Sequence, residues 1–294
     1  GNSYAGTYVV TVTDLSNCSV SDTVIIASKS QSTIYVSTIG SDMNDGSETS
    51  PFESLKFAVS AACDLDTIIV EDGIYTEDSI VVKKPLVIGS RFIIDADTNH
   101  INATIYTGGT QTVIIYDYVN SAEAYTTTSQ LIGVTISGNI NQYSNWENAS
   151  LGGAIRILSS KVKLDHVKLI GNEAYVGGAI YIDYVESQKS IVISNTSILY
   201  NHAIERAGAI YANQGQNLFL IRNTKINDNS AVNSHGSIYT YYCGVSLIDV
   251  EVKRNSAGSQ SALTIDQLKM GNDPVLIWKN VKIHENISTS GYNG

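Results

Sequence analysis

Charge is scarce in this 294-residue chain: only 16% of residues are Asp, Glu, Lys or Arg, and there are three Cys, three Pro, four Phe, two Met and two Trp. Each shortage excludes something. Cys18, Cys63 and Cys243 are odd in number, widely spaced and free of any CxxC or His-rich context. They read as unpaired thiols rather than as a disulfide scaffold or a zinc site. No apolar run approaches the roughly 20 residues that cross a bilayer as a helix. The first residues also lack the basic and apolar regions of a signal peptide. The net charge of −10 argues against nucleic acid or an anionic membrane held by bulk electrostatics. Neutral glycans and protein partners stay open.

Strand formers fill the space these shortages leave. The apolar content is largely Ile, Val, Leu and Tyr, which suits sheets better than helices, and 23 Gly and many Asn punctuate it. Residues 7–13 and 19–26 alternate apolar and polar across the turn Leu15-Ser16-Asn17-Cys18, the pattern of a β-hairpin. An isolated hairpin is marginal in water, so this one is expected to pack on the rest of a sandwich, a neighbouring domain or a partner chain. The stretch AGTYVVTVTDLSNCSVSDTVII resembles the closing two strands of Ig-like repeats in large Bacteroidetes surface adhesins, with Asn17 where those repeats carry Gly. Residues 1–28 are therefore expected to end an Ig-like module of a longer precursor.

A second segment follows. Thr33-Ile34-Tyr35-Val36 reads as a strand, Gly40–Gly46 as an acidic loop, and Ser50-Pro51 as a helix start, because Pro is pre-organised for the first helical turn. Phe52, Leu55, Val59 and Ala62 then share one helix face. Asp42, Asn44 and Asp45 offer hard oxygen ligands around a Gly and are the candidate ligands of a structural Ca²⁺; an Asx-rich turn is the alternative. The run from Ile34 to Ala62 is similar to the N-terminal cap of many secreted β-helix proteins.

From about residue 129 the chain repeats. A turn residue, Val or Thr, any residue, an aliphatic, two variable residues and Asn recur from Gly133, His166, Asn195, Asn223, Asp249 and Asn280. Gaps of 26 to 33 residues between copies mark a solenoid with variable loops. A GGAI-like block follows at Gly152, Gly177, Ala207 and His235, and a third strand precedes each copy, centred on Leu131, Leu164, Ile193, Ile221, Leu247 and Trp278. The fold expected is all-β: a right-handed parallel β-helix with three strands per rung over 32–294. Its cap is placed at 32–65, early rungs at 66–128 and regular repeats at 129–287. The tail after residue 287 offers no apolar cap, so the solenoid is expected to continue or be closed further on.

Stacked rungs turn equivalent positions into columns. Ile136, Leu169, Ile198, Ile226, Val252 and Ile283 are expected to face inward. Asn139, Asn172, Asn201, Asn229, Asn255 and Asn286 form a ladder at a bend, where Asn tolerates left-handed geometry and its amide can bond the Asn above and below. Lys225, Glu251 and Lys282, and likewise Asp228, Arg254 and Glu285, alternate in sign, as lateral pairing favours. The aliphatic-x-x-Asn and GGAI motifs over 133–286 resemble the FxxN and GGAI repeats of the polymorphic outer-membrane adhesin family of chlamydiae, with Ile, Leu or Val in place of Phe. That resemblance implies an extracellular adhesive role.

A search for chemistry finds little. A polysaccharide lyase of this fold needs clustered carboxylates on Ca²⁺ beside a Lys or Arg base, and a hydrolase needs two or three converging carboxylates. Asp165, Asp183, Glu186, Asp228, Asp249, Glu251 and Glu285 are instead scattered over different columns, and no catalytic residue is assigned. Glu173 and His202 follow ladder Asn residues on adjacent rungs and are placed to pair. After the GGAI Ile stand Arg156, Tyr181, Tyr211 and Tyr239, an outward strip able to stack on sugars or anchor a protein partner. The function expected is a non-catalytic module of a secreted or cell-surface protein, acting as adhesin, spacer or filament component. Its partners would be surface glycans, other proteins or copies of itself, with no cofactor beyond a structural Ca²⁺. A carbohydrate-active β-helix enzyme, or its glycan-binding remnant, is the alternative.

Overall fold

The computed structural model describes residues 6–26, 32–77, 79–107, 109–117, 128–140, 150–183, 191–213, 219–266 and 277–290. The chain divides into two compact units, Gly1–Ser32 and Thr33–Gly294.

In the first unit, Gly6–Thr13 pairs antiparallel with Ser19–Ile26, with Tyr8 opposite Val24 and Val12 opposite Val20. Asp14 Oδ1 closes the turn by accepting from the backbone N–H groups of Ser16 and Cys18. Asn17 supplies the left-handed residue at φ 63°, a conformation Asn reaches at low cost. Alternation places Tyr8, Val10, Val12, Val20 and Val24 on one face, and all five are exposed.

The second unit is a parallel β-helix. Its strands stack into three parallel sheets of 15, 7 and 5 strands. The 15-stranded sheet is creased. Its strands before the crease include Val162–Asp165 and Ile191–Ser194, and those after it include Lys168–Ile170 and Ser197–Leu199. In two later rungs single nine-residue strands, Phe219–Asn227 and Val245–Lys253, run through the crease. The seven-stranded sheet carries the GGAI blocks, from Ile80–Val82 to Leu263–Asp266. The five-stranded sheet, from Glu173–Val176 to Ile287–Ser288, follows the ladder Asn. A regular rung therefore holds four short extended segments where three were expected. The extra one is the short Ala-centred strand whose Ala203, Ala231 and Ala257 pack on one another.

The inward column is in register throughout, Ile136 to Leu169, Ile198, Ile226, Val252 and Ile283. All are fully buried except Ile283 in the last rung. The corners rest on left-handed residues. Gly133, His166, Asn195, Asn223, Asp249 and Asn280 all have φ between 46° and 67° at the crease. At the next corner the left-handed residues are Gly138, Gly171, Tyr200, Asp228, Arg254 and Glu285, each one position before the ladder Asn. The expectation that the Asn itself adopts this conformation is thus corrected: its neighbour turns the chain and the Asn side chain is driven inside the bend. The GGAI block has its own reason. A Cβ at Gly178 would lie 2.4 Å from the Gly208 carbonyl oxygen, a distance no side chain tolerates.

The cap helix begins later than expected. The helix runs Leu55–Ala61, with Ser54 as N-cap accepting from the Phe57 N–H. Pro51 lies before it, and Phe52 instead bridges to Val36 in extended form. Leu55, Ala58 and Val59 close the core. Two short helices, Phe92–Asp95 and Asn99–Ala103, interrupt an early rung and were not foreseen.

Candidate functional site

The Asn ladder is built as a continuous relay. The amide nitrogen of Asn172 donates to Asn201 Oδ1 at 3.0 Å, Asn201 to Asn229 at 2.9 Å, Asn229 to Asn255 at 3.0 Å and Asn255 to Asn286 at 2.9 Å. The same oxygens accept the backbone N–H of the preceding ladder residue, as in Asn172 N to Asn201 Oδ1 at 2.9 Å. Asn139 begins the series: its backbone N–H donates to Asn172 Oδ1 at 3.3 Å, and its side-chain amide donates to the Gln111 and Gly153 carbonyls instead of to the next ladder residue. From Asn172 to Asn286 both atoms of each amide are engaged inside the bend, so this run holds the corner rather than facing a ligand; at its start the buried Asn139 Oδ1 has no partner among the described residues.

The aromatic strip is present and in register, Arg156 beside Tyr181, Tyr211 and Tyr239, but it is not the exposed platform expected. Tyr181, Tyr211 and Tyr239 retain only 7%, 8% and 4% of their surface. Their rings stack on one another at 5.3 Å centroid spacing, and the Arg156 guanidinium sits 5.9 Å from the Tyr181 ring. Val176 and Ala207, from the adjoining corner, complete a second apolar cluster outside the main core. The hydroxyls are engaged too: Tyr181 donates to Asp183 at 3.1 Å and Tyr239 to Asp266 at 3.0 Å. Burial, reinforced by those carboxylates, raises the pKa of both phenols. His235 stacks on Tyr239 at 4.2 Å and bonds Thr264 through Nδ1. Burial, with Arg206 nearby, pushes its pKa down to about 4.

In the acidic loop the three side chains bond within the fold. Asp42 accepts from the backbone N–H of Glu53 and Ser54 and from Ser54 Oγ. Asn44 donates to the Pro51 carbonyl, and Asp45 accepts from Ser47 N. No group of three His, Cys, Asp or Glu able to hold a metal occurs among the described residues. The expected pairing of Glu173 with His202 is also corrected. The two are in register, yet His202 Nδ1 bonds Ser230 Oγ at 2.8 Å on the other side.

A concave feature lies elsewhere, along the crease. A groove of about 800 Å³ is lined by the left-handed residues His166, Asn195, Asn223, Asp249 and Asn280 and by outward residues two positions later. Its floor carries a second amide run: Asn223 donates to Asn195 Oδ1 at 2.6 Å and Asn195 to Asp165 at 2.7 Å. Asp249 has no proton to pass on, so the run restarts with Asn280 donating to Asp249 at 2.8 Å. The sequence reading treated this column as turn residues only. The missed signal was polar residues at the turn combined with charged ones two positions on.

Glu186 lies outside the described residues. The remaining scattered carboxylates are tied to neighbours. Arg254 clamps Asp228 through two nitrogens at 2.6 and 2.7 Å. Glu251 accepts from Asn227 Nδ2 at 2.9 Å, and Glu285 lies 3.3 Å from Lys253. For Asp165, burial works to raise the pKa, but bonds from Lys163, Asn195 and Ser194 outweigh it and hold the group below its ordinary range. Glu251 is lowered by the Asn227 bond and by His284.

No family model and no curated protein matches this chain. Among solved structures, a rhamnogalacturonan lyase is similar at 14% identity and a TM-score of 0.43, covering 86% of this chain and 66% of its own. Pectin methylesterase PemA from Erwinia chrysanthemi is similar at 10% identity and 0.44, covering 88% and 91%. A GH136 lacto-N-biosidase from Eubacterium ramulus is similar at 10% identity and 0.39, covering 86% of this chain and 55% of its own. At such identities the likeness is one of fold alone. The chain is a parallel β-helix protein.

Proposed function

We propose that this chain is a non-catalytic extracellular module of a larger secreted or cell-surface protein, a rigid solenoid that presents ligand-binding surface as an adhesin does. The observation that carries this reading is the state of the carboxylates. Glycan hydrolysis needs a carboxylic acid whose pKa is raised so that it can protonate the leaving oxygen. The rung carboxylates with displaced titration, Asp165, Glu251 and Glu285, are all displaced downward. Hydrogen bonds to their ionised forms do this. The FxxN and GGAI resemblance supports the adhesive side of the reading, and the hairpin fits the end of an Ig-like module in a tandem surface protein.

The test is a polysaccharide panel, run with and without Ca²⁺ and scored for both retention and chain length. Retention of at least one polymer without shortening is the expected result. Shortening of any polymer by the purified chain overturns the reading and makes this an enzyme.

A further inference from the structure

The crease groove has a rung-by-rung charge pattern that the fold does not require. Two outward side chains per rung meet it, one at the left-handed position and one two residues later. Asn223 with Lys225 and Asn280 with Lys282 make two basic rungs, and Lys168, two residues after His166, continues the lysine column beyond the groove, where it donates to Asn102 Oδ1. Between the lysines lie Asn195 with Ser197, which is neutral, and Asp249 with Glu251, which is acidic. The second members are in strict register, Lys168 to Ser197, Lys225, Glu251 and Lys282. All of these residues except Lys168 line the groove. Rungs stack about 4.8 Å apart, so the lysines recur roughly every 10 Å.

Lys225 and Lys282 have no carboxylate within ion-pair distance among the described residues. Glu251 stands between them but is bonded by Asn227 Nδ2 at 2.9 Å, with His284 at 3.7 Å. On the floor, Asn223 Oδ1 receives nothing from Asp249, so an amide oxygen and a carboxylate present acceptors side by side. Acceptors of this kind bind hydroxyl groups. A pyranose ring in an extended chain advances by close to one rung spacing, so lysines on alternate rungs match a negative charge on alternate sugars.

We propose that this groove binds an extended acidic polysaccharide in which anionic and neutral sugars alternate. The glycan lies along the solenoid axis with one sugar per rung. Its carboxylates fall at the Lys225 and Lys282 rungs, and a neutral sugar donates hydroxyls to Asp249 and Glu251 between them. A glycan with a charge on every sugar is disfavoured because it would place an anion against those two carboxylates. This specifies the ligand of the module proposed above and rests on that reading.

The experiment titrates the full chain with three size-matched oligosaccharides: hyaluronan, charged on alternate sugars; oligogalacturonate, charged on every sugar; and chito-oligosaccharide, uncharged. Hyaluronan is expected to bind tightest and to weaken with salt, since exposed ion pairs are screened. The Lys225→Gln/Lys282→Gln double variant is expected to lose about tenfold in hyaluronan affinity. Asp249→Asn/Glu251→Gln is expected to gain affinity for oligogalacturonate. Both variants change exposed or half-exposed side chains, and a circular dichroism melt confirms that each is folded. Equal or tighter binding of oligogalacturonate by the unaltered chain overturns the inference, as does absence of binding by all three or an unchanged lysine variant. Oligosaccharide length is read in the same samples. Shortening would refute the non-catalytic reading, whereas loss of selectivity without shortening would refute only the ligand assignment.

Discussion

Asn201→Ala is the sharpest test of what holds the solenoid corners. Asn201 is fully buried. Its Nδ2 donates to the Leu169 carbonyl at 3.0 Å and to Asn229 Oδ1 at 2.9 Å. Its Oδ1 accepts from the backbone and side-chain nitrogens of Asn172 at 2.9 and 3.0 Å. Alanine removes all four. Some partners are partly rescued: Asn172 Nδ2 keeps Ile136 O, and Asn229 Oδ1 keeps the Asn201 backbone N–H. The Asn172 backbone N–H is not rescued and faces a cavity the size of an amide. One orphaned buried donor costs roughly 1–3 kcal/mol and forfeited bonds add about 1 more, for a total near 3 kcal/mol.

Urea denaturation measures that loss, with Asn233→Ala as control. Asn233 is exposed and among the described residues its amide reaches only Glu205, so its removal should stay within about 0.5 kcal/mol. A solenoid transmits damage only to neighbouring rungs. Hydrogen exchange should therefore accelerate most around residues 169–174, 198–203 and 226–231 and fade with distance. A loss below about 1 kcal/mol, or one no larger than the control, refutes the relay as the source of corner stability.

Other outcomes follow from particular side chains. Tyr116 lies at 0% exposure in the core, and its hydroxyl meets no hydrogen-bond partner among the described residues. Tyr116→Phe is therefore expected to stabilise by about 1 kcal/mol in the same urea assay, and destabilisation would reveal a hidden partner. His100 is raised above its ordinary value of 6.5 chiefly by the Asp72 hydrogen bond, with Asp95 adding to it. Its contribution is full below pH 6.5 and is lost as pH rises through the raised value; His235, lowered to about 4 by burial, contributes fully above 6.5 and loses this as pH falls toward 4. Melting curves across pH should lose the alkaline slope in His100→Asn and the acid slope in His235→Gln, and slopes retained in both would refute these assignments. Chelation with EDTA should leave the melting temperature unchanged, because both oxygens of Asp42 already accept bonds, from the Glu53 and Ser54 N–H groups and the Ser54 hydroxyl; a fall would show that the loop holds an ion.

What could be read from the sequence was what repeats in identity. Ile136 through Ile283 and Asn139 through Asn286 recur at fixed offsets because every rung needs the same interior, and the structure keeps both columns in place. Burial outside the core was not legible. Tyr181, Tyr211 and Tyr239 alternate outward as expected, but Val176 and Ala207 come from a corner whose angle no periodicity encodes. The handed positions were missed by one residue for a related reason. Tyr200, Arg254 and Glu285 have positive φ without being residues that advertise it, so the neighbouring Asn drew the assignment. The crease was invisible as a groove because its residues read equally well as turns.

The crease column raises a question that stability alone does not answer. Alternating charge across Lys225, Glu251 and Lys282 can be explained by lateral pairing between parallel strands. The geometry uses it only at a distance: Glu251 turns to Asn227 and His284, and among the described residues neither lysine forms an ion pair. Pairing also says nothing about the stretch from His166 and Lys168 to Asn223 and Lys225, where the intervening rung of Asn195 and Ser197 is uncharged. A neutral spacer between two basic rungs lowers their repulsion but gains no attraction. Column Asp228, Arg254 and Glu285 is the useful contrast, because there Arg254 does clamp Asp228 with two short bonds. The same fold thus carries one column in which Arg254 and Asp228 satisfy each other and one whose lysines stay open to the groove. An open pattern with a two-rung period is accounted for by something outside the chain with the same period, and a polymer of alternating charged and neutral units has it.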